Sequence, residues 1–144
     1  MSQYTDANAV QSLAGTNTTA DVTSLVGRIL IAVIFLLSGL SKLAAPTATI
    51  GYITSAGLPL PQVALAISVI IEVGGSIALI TGYQTKWAAG ILAVFTIVAA
   101  LAFHNHLADQ NQFINFFKNI SMTGGLLQVV AFGAGRFSLD ARRR

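Results

Sequence analysis

The sequence contains no cysteine, which removes disulfides, thiol redox chemistry, iron–sulfur clusters and thiolate zinc sites. It is also poor in charge. Five acids and eight bases make up 9% of its 144 residues, where a soluble domain carries about 25%. A small domain has much surface for its volume and must cover it with polar side chains. An ordinary cytosolic enzyme is therefore excluded, and so is an intrinsically disordered chain. The net charge is +3, but the bases sit at the edges of apolar runs instead of forming one patch with interleaved aromatics. No nucleic-acid partner is expected.

What is present is apolar. Hydrophobic residues make up 54% of the chain, in four runs at about 25–43, 62–82, 87–104 and 119–135. A helix needs roughly 20 residues to cross the hydrocarbon core. The runs are continuous and do not alternate with period two, so strands are not expected. The pattern predicts an all-α protein, a four-transmembrane-helix bundle over 22–140. A mobile polar tail is expected at 1–21 and a basic tail at 141–144. Residues 1–24 contain no Lys or Arg, so the start reads as an uncleaved tail and not as a signal peptide.

Pro46 ends the first run, because the residue before a proline avoids the α region. Gly57-Leu58-Pro59-Leu60-Pro61 is a rigid turn into the second helix. Residues 83–86 form a tight link. Residues 104–118 form the longest polar connection, with Phe113, Phe116 and Phe117 at interface depth. Four crossings put both ends on one side. That side holds Arg28, Lys86, Arg136 and Arg142-Arg143-Arg144, against Lys42 and Lys118 opposite. Six bases against two place both termini in the cytoplasm. The terminal arginines are expected to meet anionic lipid headgroups.

Helical spacing gives each helix one stripe of small or polar residues. These are Arg28, Phe35, Ser38, Gly39 and Lys42 on the first, and Ser68, Glu72, Gly75 and Ser76 on the second. They are Ala89, Ala93, Thr96, Ala100 and His104 on the third, and Lys118, Ser121, Gly125 and Gln128 on the fourth. Such stripes let helices approach closely in a membrane, so all four are expected to face inward.

Glu72 is the only glutamate, ten residues from each end of its run. A charge at that depth costs roughly 2.5–3.5 kcal/mol on insertion scales, so it needs a partner. Lys42, Lys118 and His104 are the candidates. Glu72 lies about 15 Å below the outer end of its helix at 1.5 Å per residue. A lysine spans part of that, and the Ser38 hydroxyl or a water the rest. His104 and His106 stand at i, i+2 and do not share a helical face, so no metal site is expected. His104 continues the inward stripe and is the better candidate for proton exchange.

An ordered set of fragments resembles the DoxX family of small bacterial membrane proteins. The set starts with Gly27-Arg28 and the stretch Phe35-Leu-Leu-Ser-Gly-Leu-Ser-Lys-Leu43. It continues with Gly57-Leu-Pro59, Glu72, Gly82 and His104. Phe117-Lys-Asn119, Gly124-Gly125-Leu126 and Gly135-Arg-Phe-Ser-Leu-Asp140 complete it. The resemblance covers about residues 25–140 and implies a four-helix protein of the bacterial inner membrane. It also implies association with oxidoreductase systems acting on thiols or quinones. The chain has no cofactor-carrying motif of its own; a quinone is the ligand the resemblance admits. On this reading the protein is a membrane subunit or accessory of an oxidoreductase, bound to a partner protein or to copies of itself. Glu72 and His104 are the candidate catalytic residues. Lys42, Lys118, Asn119 and Ser38 are the candidate substrate-binding residues. The alternatives are a non-enzymatic scaffolding bundle, which would tolerate Glu72→Gln, and a small-molecule conduit.

Overall fold

A computed structural model describes residues 18–143. Five helices account for most of them: α1 (Gln3–Ala44), α2 (Pro46–Ser55), α3 (Pro61–Thr81), α4 (Thr85–Phe103) and α5 (Gln110–Phe132). Among the described residues there is no strand. The expected mobile tail at 1–21 lies outside the described residues except for 18–21, which are helical and continuous with α1. Three helical segments are long and apolar enough to cross a membrane: Thr18–Ala44, Pro61–Thr81 and Thr85–Phe103.

Two parts of the architecture depart from the expected one. Pro46 does end α1, but as the first residue of a short helix where only a connection was expected. Pro suits that position because its missing N–H would have no helical acceptor. The last helix starts at Gln110, nine residues before the expected 119. Asp109 caps it by accepting from the Gln112 amide at 2.9 Å. Asp109 and Gln112 hold the spacing of a capping box, a signal present in the sequence inside a stretch too polar to be read as membrane helix.

The core lies where α1, α3, α4 and α5 meet, around Ala32, Phe35, Leu79, Leu92, Leu126 and Val129. The stripes of α1, α3 and α4 face inward as expected: Arg28, Phe35, Ser68, Glu72, Ser76, Ala89, Ala93, Thr96 and Ala100 are buried. The α5 stripe does not. Lys118, Ser121 and Gln128 are exposed, and Thr123, Leu126 and Val129 are buried instead. The buried face of α5 runs through Thr123, Leu126 and Val129, and the predicted stripe through Ser121 and Gln128 lies on another side of the helix. Of the predicted four, only Gly125 packs inward, near Ile31.

Residues 70–74 of α3 form a π turn. Such bulges occur mostly as single turns inside α-helices, often at functional sites. Gly39 of α1 lies against this turn. A Cβ there would stand 2.7 Å from Val73 Cγ2 and 3.3 Å from Glu72 Cβ. At Gly74 a Cβ would meet nothing within 4 Å. Gly39→Leu is therefore expected to cost about 1–3 kcal/mol by overpacking, and Gly74→Leu less than about 0.5 kcal/mol. Thermal unfolding of the two variants in one detergent checks the order.

The C-terminal segment folds back under the bundle. Gly133 and Gly135, at φ of 79° and 72°, make the turns that a side chain would resist. Leu139 and Asp140 donate their amides to Thr81 and Gly82 carbonyls at 3.1 and 2.9 Å. Arg28 ties the segment from the inside, donating to Leu79 O at 2.6 Å and Phe137 O at 2.7 Å. The Asp140 carboxylate caps α4 through the amides of Gln84 and Thr85 at 2.8 and 2.9 Å. Partial burial pushes that carboxyl up. The Thr85 and Gln84 amides and Arg143 outweigh it and hold the group below its usual range. A depressed carboxylate stabilises the fold above the ordinary aspartate range and stops doing so as pH falls through the lowered value. Asp140→Asn is expected to remove this acid dependence and to speed hydrogen exchange at the Gln84 and Thr85 amides at neutral pH.

Candidate functional site

Glu72 sits in the π turn of α3, and its partner comes from α1. Lys42 Nζ lies 2.9 Å from Glu72 Oε1 and 2.8 Å from Oε2. The ammonium also donates to Ser38 Oγ at 2.8 Å, and that hydroxyl donates to Glu72 Oε1 at 3.1 Å. Ser38 and Lys42 are one turn apart, so both reach the same carboxylate. The Glu72 side chain is 5% exposed and that of Lys42 24%. Lysine thus enters from the rim along its apolar stem. Below them the Ser76 hydroxyl donates to Glu72 O at 2.5 Å and Ala32 O at 3.0 Å, tying the turn to α1.

The ion pair is the polar end of a cavity of about 470 Å³. Its other walls are mostly apolar, among them Phe35, Ile67, Phe95, Phe103 and Met122. Thr49 and Tyr52 of α2 line it as well, and Tyr52 stacks on Phe103 with centroids 5.2 Å apart. Ser68 and Thr96 add hydroxyls. These groups on α2, α3 and α4 were not among the candidates. Their signal, a short helix after Pro46 and the serine and threonine of two inward stripes, was present but read as turn and packing.

Of the predicted site residues, the structure brings Glu72, Lys42, Ser38, His104 and Asn119 to one cavity. His104 is half-buried, with Nδ1 donating to Gln112 Oε1 at 2.9 Å. Lys118 is not brought in. It is exposed and donates to Asn115 Oδ1 at 3.1 Å on the outer side of α5. The rotation of α5 that overturned its predicted stripe also removes Lys118 from the pocket. Among the described residues, no three His, Asp or Glu side chains are grouped to hold a metal.

Apolar helices around a buried, ion-paired carboxylate define a small helical membrane protein with an internal cavity. The chain belongs to the DoxX family, whose model matches residues 23–105. It is 32% identical over 120 residues to inner membrane protein YqjF of Escherichia coli, covering 83% of this chain and 91% of that one. It is 32% identical over 123 residues to inner membrane protein YphA of the same organism, covering 82% and 88%. A shorter match, 30% over 82 residues, joins 54% of this chain to 26% of ER-derived vesicles protein ERV29 of Saccharomyces cerevisiae. No solved structure matches the chain.

Proposed function

We propose that this protein is a four-span bundle of the bacterial inner membrane that binds a polar-headed, lipid-soluble molecule, as membrane subunit or accessory of an oxidoreductase system. The observation that carries this reading is the cavity itself, apolar along its walls and ion-paired at one end. Cavities of a few hundred Å³ with a few convergent polar groups are typical small-molecule sites. Ile34, Ile67 and Val98 line the cavity and are also exposed on the apolar surface. Ligand access from the lipid phase follows.

A quinone fits the donor set. Lys42 and Ser38 are donors that a ring carbonyl can accept from, and the apolar walls suit a ring and its tail. The quinone supplies the redox chemistry when bound. Glu72 holds Lys42 in place and is the proton acceptor next to it. His104, at the end of α4, and Asn119 of α5 line the same cavity, with His104 exchanging protons toward the outer end.

The helix α5 is the fourth span on this reading. Its 23 residues cover about 34 Å at 1.5 Å per residue. Four crossings leave both termini on the side that carries Arg28, Lys86, Arg136 and the terminal arginines, the cytoplasmic one. The names of the two Escherichia coli relatives support the inner membrane.

The test is purification of the full chain in mild detergent, followed by mass spectrometry of its organic extract. Wild type is expected to retain a quinone, and Lys42→Met to lose most of it. Absence of any quinone from wild type, or equal retention by the variant, would overturn the reading. A scaffolding bundle predicts that equal retention and full tolerance of Glu72→Gln.

A further inference from the structure

A second cavity, of about 560 Å³, lies at the opposite end of the bundle from the Glu72 pocket. It is formed where α4 begins, where α5 ends, and where the C-terminal segment turns back. Three cations line it: Lys86, Arg136 and Arg143. Two carboxylates line it as well, Asp21 and Asp140. Both are already turned to backbone amides. Asp140 accepts from Gln84 and Thr85, and Asp21 accepts from the Arg136 amide at 2.9 Å. The cations are less engaged. Lys86 Nζ donates to Ala131 O at a long 3.2 Å. The Arg136 side chain is 77% exposed and only 3.9 Å at best from Asp21. Arg143 lies over the Tyr83 ring, 4.7 Å from its centroid.

Backbone groups add to the positive field. The first intrahelical bond of α4 is Ala88 N to Gln84 O, so the amides of Lys86 and Trp87 precede any helical acceptor. They carry the positive end of the α4 dipole. Gly133 and Gly135 hold the facing loop in its tight turns.

The surroundings identify the source of the anion. Trp87 is 74% exposed and Phe132 80% exposed, and they flank the cavity at the ends of two apolar helices. Tryptophan in this position marks headgroup depth. An anion held here has apolar helix surface directly beside it, where acyl chains run.

We propose that this cavity binds the phosphate of an anionic glycerophospholipid, with Lys86 and Arg136 as its main cationic contacts. The chemistry is that of a phosphate diester; its source is the membrane and not free phosphate.

The full chain, reconstituted in nanodiscs of mixed phosphatidylglycerol and phosphatidylcholine, is released and its retained lipids counted by native mass spectrometry. Wild type is expected to retain phosphatidylglycerol in preference to phosphatidylcholine. Lys86→Gln with Arg136→Gln is expected to lower that preference by roughly tenfold. Arg136→Gln alone, at an exposed side chain, keeps the comparison valid if the double variant fails to fold. It is expected to lower the preference by a smaller factor. Equal retention of the two lipids by wild type would overturn the proposal. So would an unchanged preference in Arg136→Gln. A third arm adds inorganic phosphate to detergent-solubilised protein. Thermal protection by phosphate equal to that by short-chain phosphatidylglycerol would overturn the lipid source.

Discussion

Lys42→Met is expected to destabilise the protein by about 3–5 kcal/mol, because it leaves a buried carboxylate without its cation. Glu72→Gln is expected to cost less. The asymmetry follows from where the two charges sit. The Glu72 side chain is 5% exposed and is held in the π turn, whereas Lys42 is 24% exposed at the end of a flexible stem. A Lys42 without its partner can move its ammonium toward the rim. A Glu72 without its partner has only the Ser38 hydroxyl, at 3.1 Å. The double variant Lys42→Met with Glu72→Gln is expected to recover much of the single-lysine loss, since an amide needs hydrogen bonds but no counter-charge. Unfolding in mixed micelles, followed by circular dichroism, gives all three values and their coupling. A Lys42→Met variant no less stable than Glu72→Gln would show that the ion pair does not hold the pocket together.

The same pair shows how far the sequence could be read. A lone glutamate at mid-helix depth demands a partner, and Ser38 and Lys42 at i, i+4 were placed to supply one. Those residues do meet. The distance was overestimated, because a direct contact at 2.8 Å replaces the expected relay. Gly39 explains the difference: without a Cβ, α1 closes on the π turn, and the lysine reaches the carboxylate unaided. The π turn itself has no signature in hydrophobic period, since a single wide turn shifts the phase of the stripe too little to be noticed. The α5 error has another cause. Its apolar run starts late, which sets the expected start of the helix too far along the chain, and helical spacing offers Lys118, Ser121, Gly125 and Gln128 as its one polar stripe. Period alone cannot say which face of a mixed helix is buried when both faces carry small residues; the packing partner decides, here Ile31 against Gly125 and the core around Leu126.

Arg28 was read from the sequence as a charge that sets orientation, and the structure gives it a larger part. Its guanidinium is buried and spans two elements, donating to Leu79 O near the end of α3 and to Phe137 O in the C-terminal segment. Leu79 O lies in the last turn of α3, beyond its helical donors, and Phe137 O lies in non-helical chain, so each needs an outside partner. Arg28→Ala leaves both without it and is expected to cost about 3–6 kcal/mol, at about 1.5–3 kcal/mol for each charged hydrogen bond. Arg28→Lys is expected to recover less than half, because one ammonium lacks the planar fork that reaches two carbonyls at once. The loss should be local before it is global. Segment 133–140 is held by Arg28 from within, by Ser24 and Asp21 of α1 at Ala134 and Arg136, and by the Leu139 amide and the Asp140 amide and carboxylate at its far end. With Arg28 gone, the contacts at the two ends remain but Phe137 between them is released, and the exposed Arg136 becomes a better trypsin site. Cleavage there is expected to accelerate in Arg28→Ala while the circular dichroism of the helices stays near that of wild type at low temperature. Equal cleavage rates in the two proteins would mean that Arg28 serves only to mark the membrane edge.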